Sequence, residues 1–335
     1  MILITGGTGL VGSHLLYQLI TENNSVKAIY RKKSDLQKVK TVFSYYTTDF
    51  ELLFNKIEWV LADLNDVPSL QNAFLGVSKV YHCAAMVSFN PKDYHKMRKV
   101  NIKGTTNIVN LCISNKIDKL CFVSSIATIE KSLNNDPINE NNFWNTSVDK
   151  SGYAITKQGA EMEVWRASQE NIDVIIVNPG VILGSGFWNN GTGKLFSKIY
   201  KGFKYYTTGV TGFVGVTDVV NIMINLMKSN QKNERFILVS ENASFKDVFF
   251  LIADTFKVKR PSKKVTKLLS EFAWKFDLLK SSIWNTSPMF SKHSARASHK
   301  KNYFSSKKIE TAINYTFEPL TNTIQVTCKH FIKDH

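Results

Sequence analysis

Along the first half of the chain, short apolar runs alternate with longer stretches in which apolar residues recur every three or four positions. The runs lie at Ile2 to Thr5, Val26 to Tyr30, Ile57 to Leu61, Lys79 to Cys83, Lys119 to Val123 and Asp173 to Val177, and their lengths suit buried strands. Most of the intervening stretches, such as Leu10 to Ile20, carry a helical pattern. Alternation of this kind predicts an α/β fold, a doubly wound parallel sheet covered by helices on both faces. After Asn178 the pattern loosens: "NPGVILGSGFWNNGTG" reads as a glycine-rich loop and "RFILVS" as a strand isolated among helices. The expected division is a sheet domain of residues 1–178 with a returning segment near 216–240, and a smaller, mostly helical C-terminal lobe of residues 179–215 and 241–335. No internal repeat or low-complexity segment interrupts this plan.

One helical stripe has a distinctive electrostatic setting. Val265, Leu268, Leu269, Phe272, Phe276, Leu279 and Ile283 recur at helical spacing, with Lys267, Glu271 and Lys275 on another face. Between Thr255 and Glu310 there are 14 Lys or Arg against three acids, so +11 of the formal +16 belongs to this segment and +5 to the rest. The expectation is a helix docked by its apolar side on its own lobe, with a solvated charged face. Contact with an anionic membrane or a partner is the less favoured reading, and nucleic acid is not expected.

Composition narrows the class. At 335 residues, with 43% hydrophobic and 21% charged, the chain can bury a full core. Met1 runs directly into the first strand, and no apolar stretch approaches the roughly 20 residues of a membrane span. A soluble, cytoplasmic protein is the expectation. Cys83, Cys112, Cys121 and Cys328 show no paired ligand spacing, so reduced thiols are expected rather than disulfides or a metal site.

Chemistry enters at the first turn. In Thr5-Gly6-Gly7-Thr8-Gly9-Leu10-Val11-Gly12, the glycines Gly6, Gly9 and Gly12 fall three residues apart between a strand and a helix. Such a loop lets the backbone approach a diphosphate, and the helix N-terminus offers free N–H groups to the anion. A purely structural turn would carry the same glycines, so the later motifs decide. Where a dinucleotide fold reads the adenosine ribose, this chain has "YRKKSD", with Arg31, Lys32 and Lys33 in place of a carboxylate. A cationic cluster suits the 2′-phosphate of NADP(H) better than the hydroxyl of NAD(H); a solvated basic turn is the alternative. Asp63 and Leu64 in "LADLND" are placed to accept from the adenine amino group and to cover the ring.

The most specific signal is "YAITK". On a helix from about Lys150 to Ser168, Tyr153 and Lys157 stand one turn apart on a shared face. A nearby ammonium and a positively charged nicotinamide favour the phenolate and bring the tyrosine into a usable range. Upstream, "LCFVSSIAT" ends the fifth strand with two serines, at the strand end where open parallel sheets bind ligands.

Together these motifs resemble the extended short-chain dehydrogenases/reductases, also called the NAD-dependent epimerase/dehydratase family, and within it the branch of dihydroflavonol 4-reductases and 3β-hydroxysteroid dehydrogenases. The resemblance spans nearly the whole chain, through "TGGTGLVGSHL", "ADLND", "VYHCAAMVSF", "VNIKGTTNIVNLC", "FVSSIAT", "YAITK", "NPGVILG", "VGVTDVV" and "SSKKIETAINYTFEP". It implies a Rossmann-type fold, with Ser125 as the catalytic serine, Tyr153 as general acid/base and Lys157 as its partner on the nicotinamide ribose. It further implies that Asn101 helps order the active site, and that Gly6, Thr8, Gly9, Leu10, Val11 and Gly12 hold the cofactor. Ala84 and Ala85 would run along it, Pro179 and Val181 would lie beside the nicotinamide, Arg31 would contact the 2′-phosphate, and Lys38 falls where a second cation can occur. Members commonly dimerise through helices corresponding to Asp93 to Ser114 and Lys150 to Ser168.

Departures from the family pattern shape the reading. Ile126 and Ala127 follow Ser125, where dehydratases carry an Asp-Glu pair, which argues against elimination. Asn178 precedes the proline of "NPG", where many members have arginine. Phe187, Trp188, Phe203, Tyr205, Tyr206, Phe213, Trp274 and Trp284 either line an apolar substrate pocket or pack as core. The expectation is an NADP(H)-dependent oxidoreductase acting on the ketone or secondary alcohol of a fairly apolar small molecule, with a homodimer as its assembly. A nucleotide-sugar epimerase and a non-catalytic cofactor-binding scaffold are the alternatives.

Overall fold

The computed structural model describes residues 1–335 apart from 132–135, 146–147 and 284–291, with backbone alone at 273 and 277–283. Twelve strands are described: β1 (Ile2–Thr5), β2 (Val26–Tyr30), β3 (Glu58–Leu61), β4 (Lys79–His82), β5 (Lys119–Val123), β6 (Asp173–Pro179), β7 (Val181–Leu183), β8 (Tyr205–Tyr206), β9 (Val210–Gly215), β10 (Glu234–Leu238), β11 (Glu241–Ser244) and β12 (Lys263–Lys264). Seven of them form one sheet in the order β10-β6-β5-β4-β1-β2-β3, every pair parallel. The order reverses between β1 and β4, which opens a crevice at the carboxyl ends of these strands. This is the Rossmann-type fold.

The apolar runs become central strands because helices bury both of their faces. Leu15, Leu16, Val219 and Met223 pack with Ile4 and Ile175 on one face. Ile108, Val109, Ala160 and Val164 pack with Leu3, Leu120 and Ile176 on the other. Glu58–Leu61, at the sheet edge, keeps exposed ends.

Three sequence expectations are corrected. The glycine-rich stretch after Asn178 is not all loop: Val181–Leu183 forms β7, paired with β9 in a small sheet that also holds β11. The helix expected over Asp93 to Ser114 is interrupted, with a π-helical segment at Arg98–Lys103 before the regular helix Gly104–Ser114. That insertion carries Asn101, whose side chain engages a neighbouring backbone rather than the next helical turn. Lastly, the described part of the apolar stripe on the Lys267–Ile283 helix faces outward: Leu268, Leu269, Phe272 and Phe276 are exposed while Ser270 is buried. The side chains of Leu279 and Ile283 and the whole of Trp284 lie outside the described residues.

Among the aromatic residues of the lobe, Phe213 and Trp188 are core, packed with Phe196, Leu320 and Phe331. No helix among the described residues is long and apolar enough to cross a membrane.

Candidate active site

The first loop is built for close approach. Gly6 has φ +72°, and a Cβ on it would lie 2.6 Å from the Ala84 nitrogen; a Cβ on Gly12 would lie 2.2 Å from the Gly6 carbonyl oxygen. Any side chain at either position would displace backbone. The helix Leu10–Thr21 starts at Gly9 with no side-chain cap, so Leu10, Val11 and Gly12 offer first-turn N–H groups. The Thr8 hydroxyl faces Ser34 at 3.5 Å. A diphosphate fits this cradle on both counts, space and donors.

At one end of the cradle, Arg31, Lys32 and Lys33 share an open cavity of about 700 Å³ with Leu61, Ala62, Asp63, Asp66 and Ser69. Cations and an acceptor carboxylate thus meet where the adenosine end of a dinucleotide would lie. Asp63 is held by the Asn65 N–H at 2.9 Å. Leu64 is buried beneath the Gly104–Ser114 helix, with its carbonyl accepting from Asn107 at 2.8 Å. Lys38 is not brought into this cavity: it pairs with Asp35 at 3.5 Å and faces Gly186, Trp188 and Asp334 instead.

At the other end lie the strand ends of β5 and β6 and the helix Gly152–Gln169, whose N-terminus Ser151 caps by accepting from Ala154. Ser125 is partly exposed and accepts from the Ala127 N–H at 3.2 Å. Burial raises the Tyr153 phenol above its usual range, and hydrogen bonding to Ser125 pulls it back down. Lys157 is buried, donates to the Val123 carbonyl at 2.7 Å and lies 4.2 Å from the centre of the Phe122 ring. Desolvation lowers its pKa to about 7 against the pull of Glu161. Tyr153 is thus within hydrogen-bond reach of Ser125, while Lys157, one turn further along the helix, engages the Val123 carbonyl.

Two buried networks hold this end. Asn101 accepts from the Met86 N–H at 2.7 Å, and its amide donates to the Met86 carbonyl and to Thr156 Oγ1, each at 3.0 Å. It thereby fastens the segment after Ala84 and Ala85 to the helix bearing Tyr153. His82 extends the chain of contacts, with Thr5 Oγ1 at 2.6 Å and Thr105 Oγ1 at 2.9 Å; burial and the nearby Lys157 lower its pKa to about 3.

The second network centres on Glu161, which is 1% exposed. Its Oε2 accepts from Ser124 at 2.7 Å and from the Asn178 amide at 3.1 Å, with Thr128 Oγ1 at 2.9 Å. Its Oε1 faces Arg235 at 3.4 Å. Asn178 also donates to the Ser125 carbonyl at 3.1 Å, so this buried residue supports the serine rather than facing a substrate. Sequence reasoning missed Glu161, Thr128 and His82. The one available signal for Glu161 was its place four residues after Lys157, on the same helix face. Pro179 is buried in β6 beside β10, and Val181 is partly buried in β7 beside β9.

Comparison with known proteins adds the lineage. The family model described as male sterility protein, an NAD-binding family, matches residues 4–206. The chain is 27% identical over 269 residues to tetraketide alpha-pyrone reductase 2 of Arabidopsis thaliana, covering 76% of this chain and 82% of that protein. It is 25% identical over 300 residues to sterol demethylase protein B of Methylococcus capsulatus, covering 88% and 87%, and 25% identical over 301 residues to dihydroflavonol 4-reductase of Dianthus caryophyllus, covering 81% and 82%. Among solved structures, gox2253 superposes with a TM-score of 0.83 at 24% identity, covering 100% of this chain and 98% of the other, a likeness of fold.

Proposed function

Because the chain belongs to the extended short-chain dehydrogenases/reductases, in the family described as male sterility protein and near the dihydroflavonol 4-reductase branch, we propose a specific reaction for this NAD(P)-dependent oxidoreductase. It reduces a ketone of a fairly apolar small molecule with NADP(H), or oxidises the matching secondary alcohol. The observation that supports this reading is the hydrogen bond between Tyr153 and Ser125, beside the strand end where Lys157 holds the Val123 carbonyl, at the end of the cradle opposite Arg31.

The nicotinamide cofactor supplies or accepts the hydride when bound. Residues 1–178 with the segment near 216–240 hold it, through Gly6, Thr8, Gly9, Leu10, Val11 and Gly12 at the diphosphate and Arg31 at the 2′-phosphate. Lys32 and Lys33 add positive charge, while Asp63, Ala84, Ala85, Pro179 and Val181 line its path. Ser125 Oγ donates to the carbonyl oxygen. Tyr153 passes its phenolic proton to that oxygen as negative charge develops there. Lys157 in its ammonium form lowers the cost of the phenolate. Residues 179–215 and 241–335 enclose the substrate; the reductase and sterol-related names of the relatives support an apolar carbonyl compound. Exposed Ile155 and Met162 on the Gly152–Gln169 helix support a homodimer through that helix.

The deciding experiment follows NADPH consumption against a panel of aryl and cyclic ketones, with NADH in parallel. Turnover with NADPH that vanishes in Tyr153→Phe while NADPH still binds is the expected outcome. Wild-type rates in that variant, or bound NAD that resists removal, would overturn the reading.

A further inference from the structure

An ordinary surface helix buries its apolar stripe and shows its polar side to water. Among its described side chains, the Lys267–Ile283 helix does the reverse. On its other side the described contacts include polar ones: Ser270 meets His299 at 2.7 Å, and Glu271 accepts from Trp274 within the helix and from Arg296, each at 2.8 Å. Outward stand Leu268, Leu269, Phe272 and Phe276, exposed by 74%, 50%, 70% and 71%. At 3.6 residues per turn these four fall within an arc of about 100°. They form one continuous apolar face.

The surroundings of that face are cationic. Lys275 borders it on one side, Lys267 stands at the start of the helix, and β12 with Lys263 and Lys264 leads into it, all four exposed. β12 pairs with β8, which adds Tyr205, exposed by 44% with Lys263 5.9 Å from its ring centre. Leucine and phenylalanine flanked by lysine and an amphipathic tyrosine are the components of a helix that lies in the plane of a lipid interface. We propose that this helix and the β8–β12 ribbon dock on an anionic bilayer surface, with Leu268, Leu269, Phe272 and Phe276 entering the headgroup boundary and the lysines meeting lipid phosphates.

Charge selects this occupant over a second copy of the chain. The exposed Lys263, Lys264, Lys267 and Lys275 would be brought against the same lysines of a second copy in a self-association through this face, whereas an anionic surface complements them. The inference does not rest on the proposed reaction, because no residue of the cradle or of the Ser125, Tyr153 and Lys157 cluster belongs to the face.

The test uses the full chain in flotation with vesicles of phosphatidylcholine alone and of phosphatidylcholine mixed with phosphatidylglycerol. The protein should rise with the mixed vesicles, much less with the neutral ones, and should be released as salt is raised. Phe272→Ser/Phe276→Ser should lower the bound-to-free ratio by about tenfold or more, since two phenylalanines lose their burial, with thermal midpoint and NADPH binding unchanged. Lys263→Glu/Lys267→Glu should lower it by about fivefold for each lysine. Absence of flotation at low salt, or undiminished flotation of the phenylalanine variant, would overturn the proposal. So would self-association in sedimentation velocity that the phenylalanine variant abolishes without any vesicle binding, which would assign the face to a second copy.

Discussion

The two ends of the cradle are built on opposite principles. At the end where Ser125 and Tyr153 stand, Lys157, Glu161, Asn101 and Asn178 are buried, and short hydrogen bonds tie each of them to the backbone or to its neighbours. At the opposite end, Arg31, Lys32 and Lys33 are exposed around an open cavity. A reacting centre gains from groups that are already oriented and shielded from water. Recognition of a charged substituent can be left to mobile surface cations, at the cost of being screened by salt. Substitutions at the first end should therefore change rates, and substitutions at the second should change cofactor preference.

The sharpest contrast is expected from Tyr153→Phe. It removes the phenolic proton that Tyr153 brings to Ser125, so kcat should fall by about 10²–10⁴ while NADPH affinity measured by titration stays within a few-fold. A comparable loss of affinity would show that the two ends are not separable.

Glu161→Gln probes whether the buried carboxylate matters through charge. Glu161 raises the Lys157 pKa against desolvation, so its neutralisation should move that pKa below about 7 and leave less ammonium at neutral pH. The alkaline fall in kcat/KM should shift to lower pH and the rate at pH 7 should drop by roughly tenfold. An unshifted profile would reduce Glu161 to packing.

At the open end, Arg31→Ala should weaken NADPH by about tenfold, as befits one charge-assisted contact at a surface, and leave NADH nearly unaffected. The difference should shrink as salt rises. Equal losses for both cofactors would mean that Arg31 shapes the cavity rather than reading a phosphate.

A smaller effect should appear in acid. Burial lowers the pKa of His14 to about 4 and that of His82 to about 3. Below pH 6.5 the unfolded chain binds protons that the folded chain refuses until those values, so stability should fall as pH drops through this window. Each histidine accounts for about 2 kcal/mol by pH 5. Thermal melts from pH 7 to pH 5 would check this, and a flat midpoint would show that neither histidine is held neutral.

The central strands could be read along the chain because each is a short apolar run buried on both faces, and the Gly152–Gln169 helix because Tyr153 and Lys157 are one turn apart within a single element. The glycine cradle was legible for a similar reason: Gly6 and Gly12 answer to close contacts within one strand-turn-helix unit. What needed the folded chain was every relation between distant segments. Glu161 meets Ser124 across 37 positions, Asn178 meets Ser125 across 53, and Asn101 meets Thr156 across 55. Periodicity also located the stripe from Leu268 to Phe276 but left open which way it points. Helical spacing specifies that residues share a face; only packing against Ser270 and Glu271 settles whether that face meets protein or solvent.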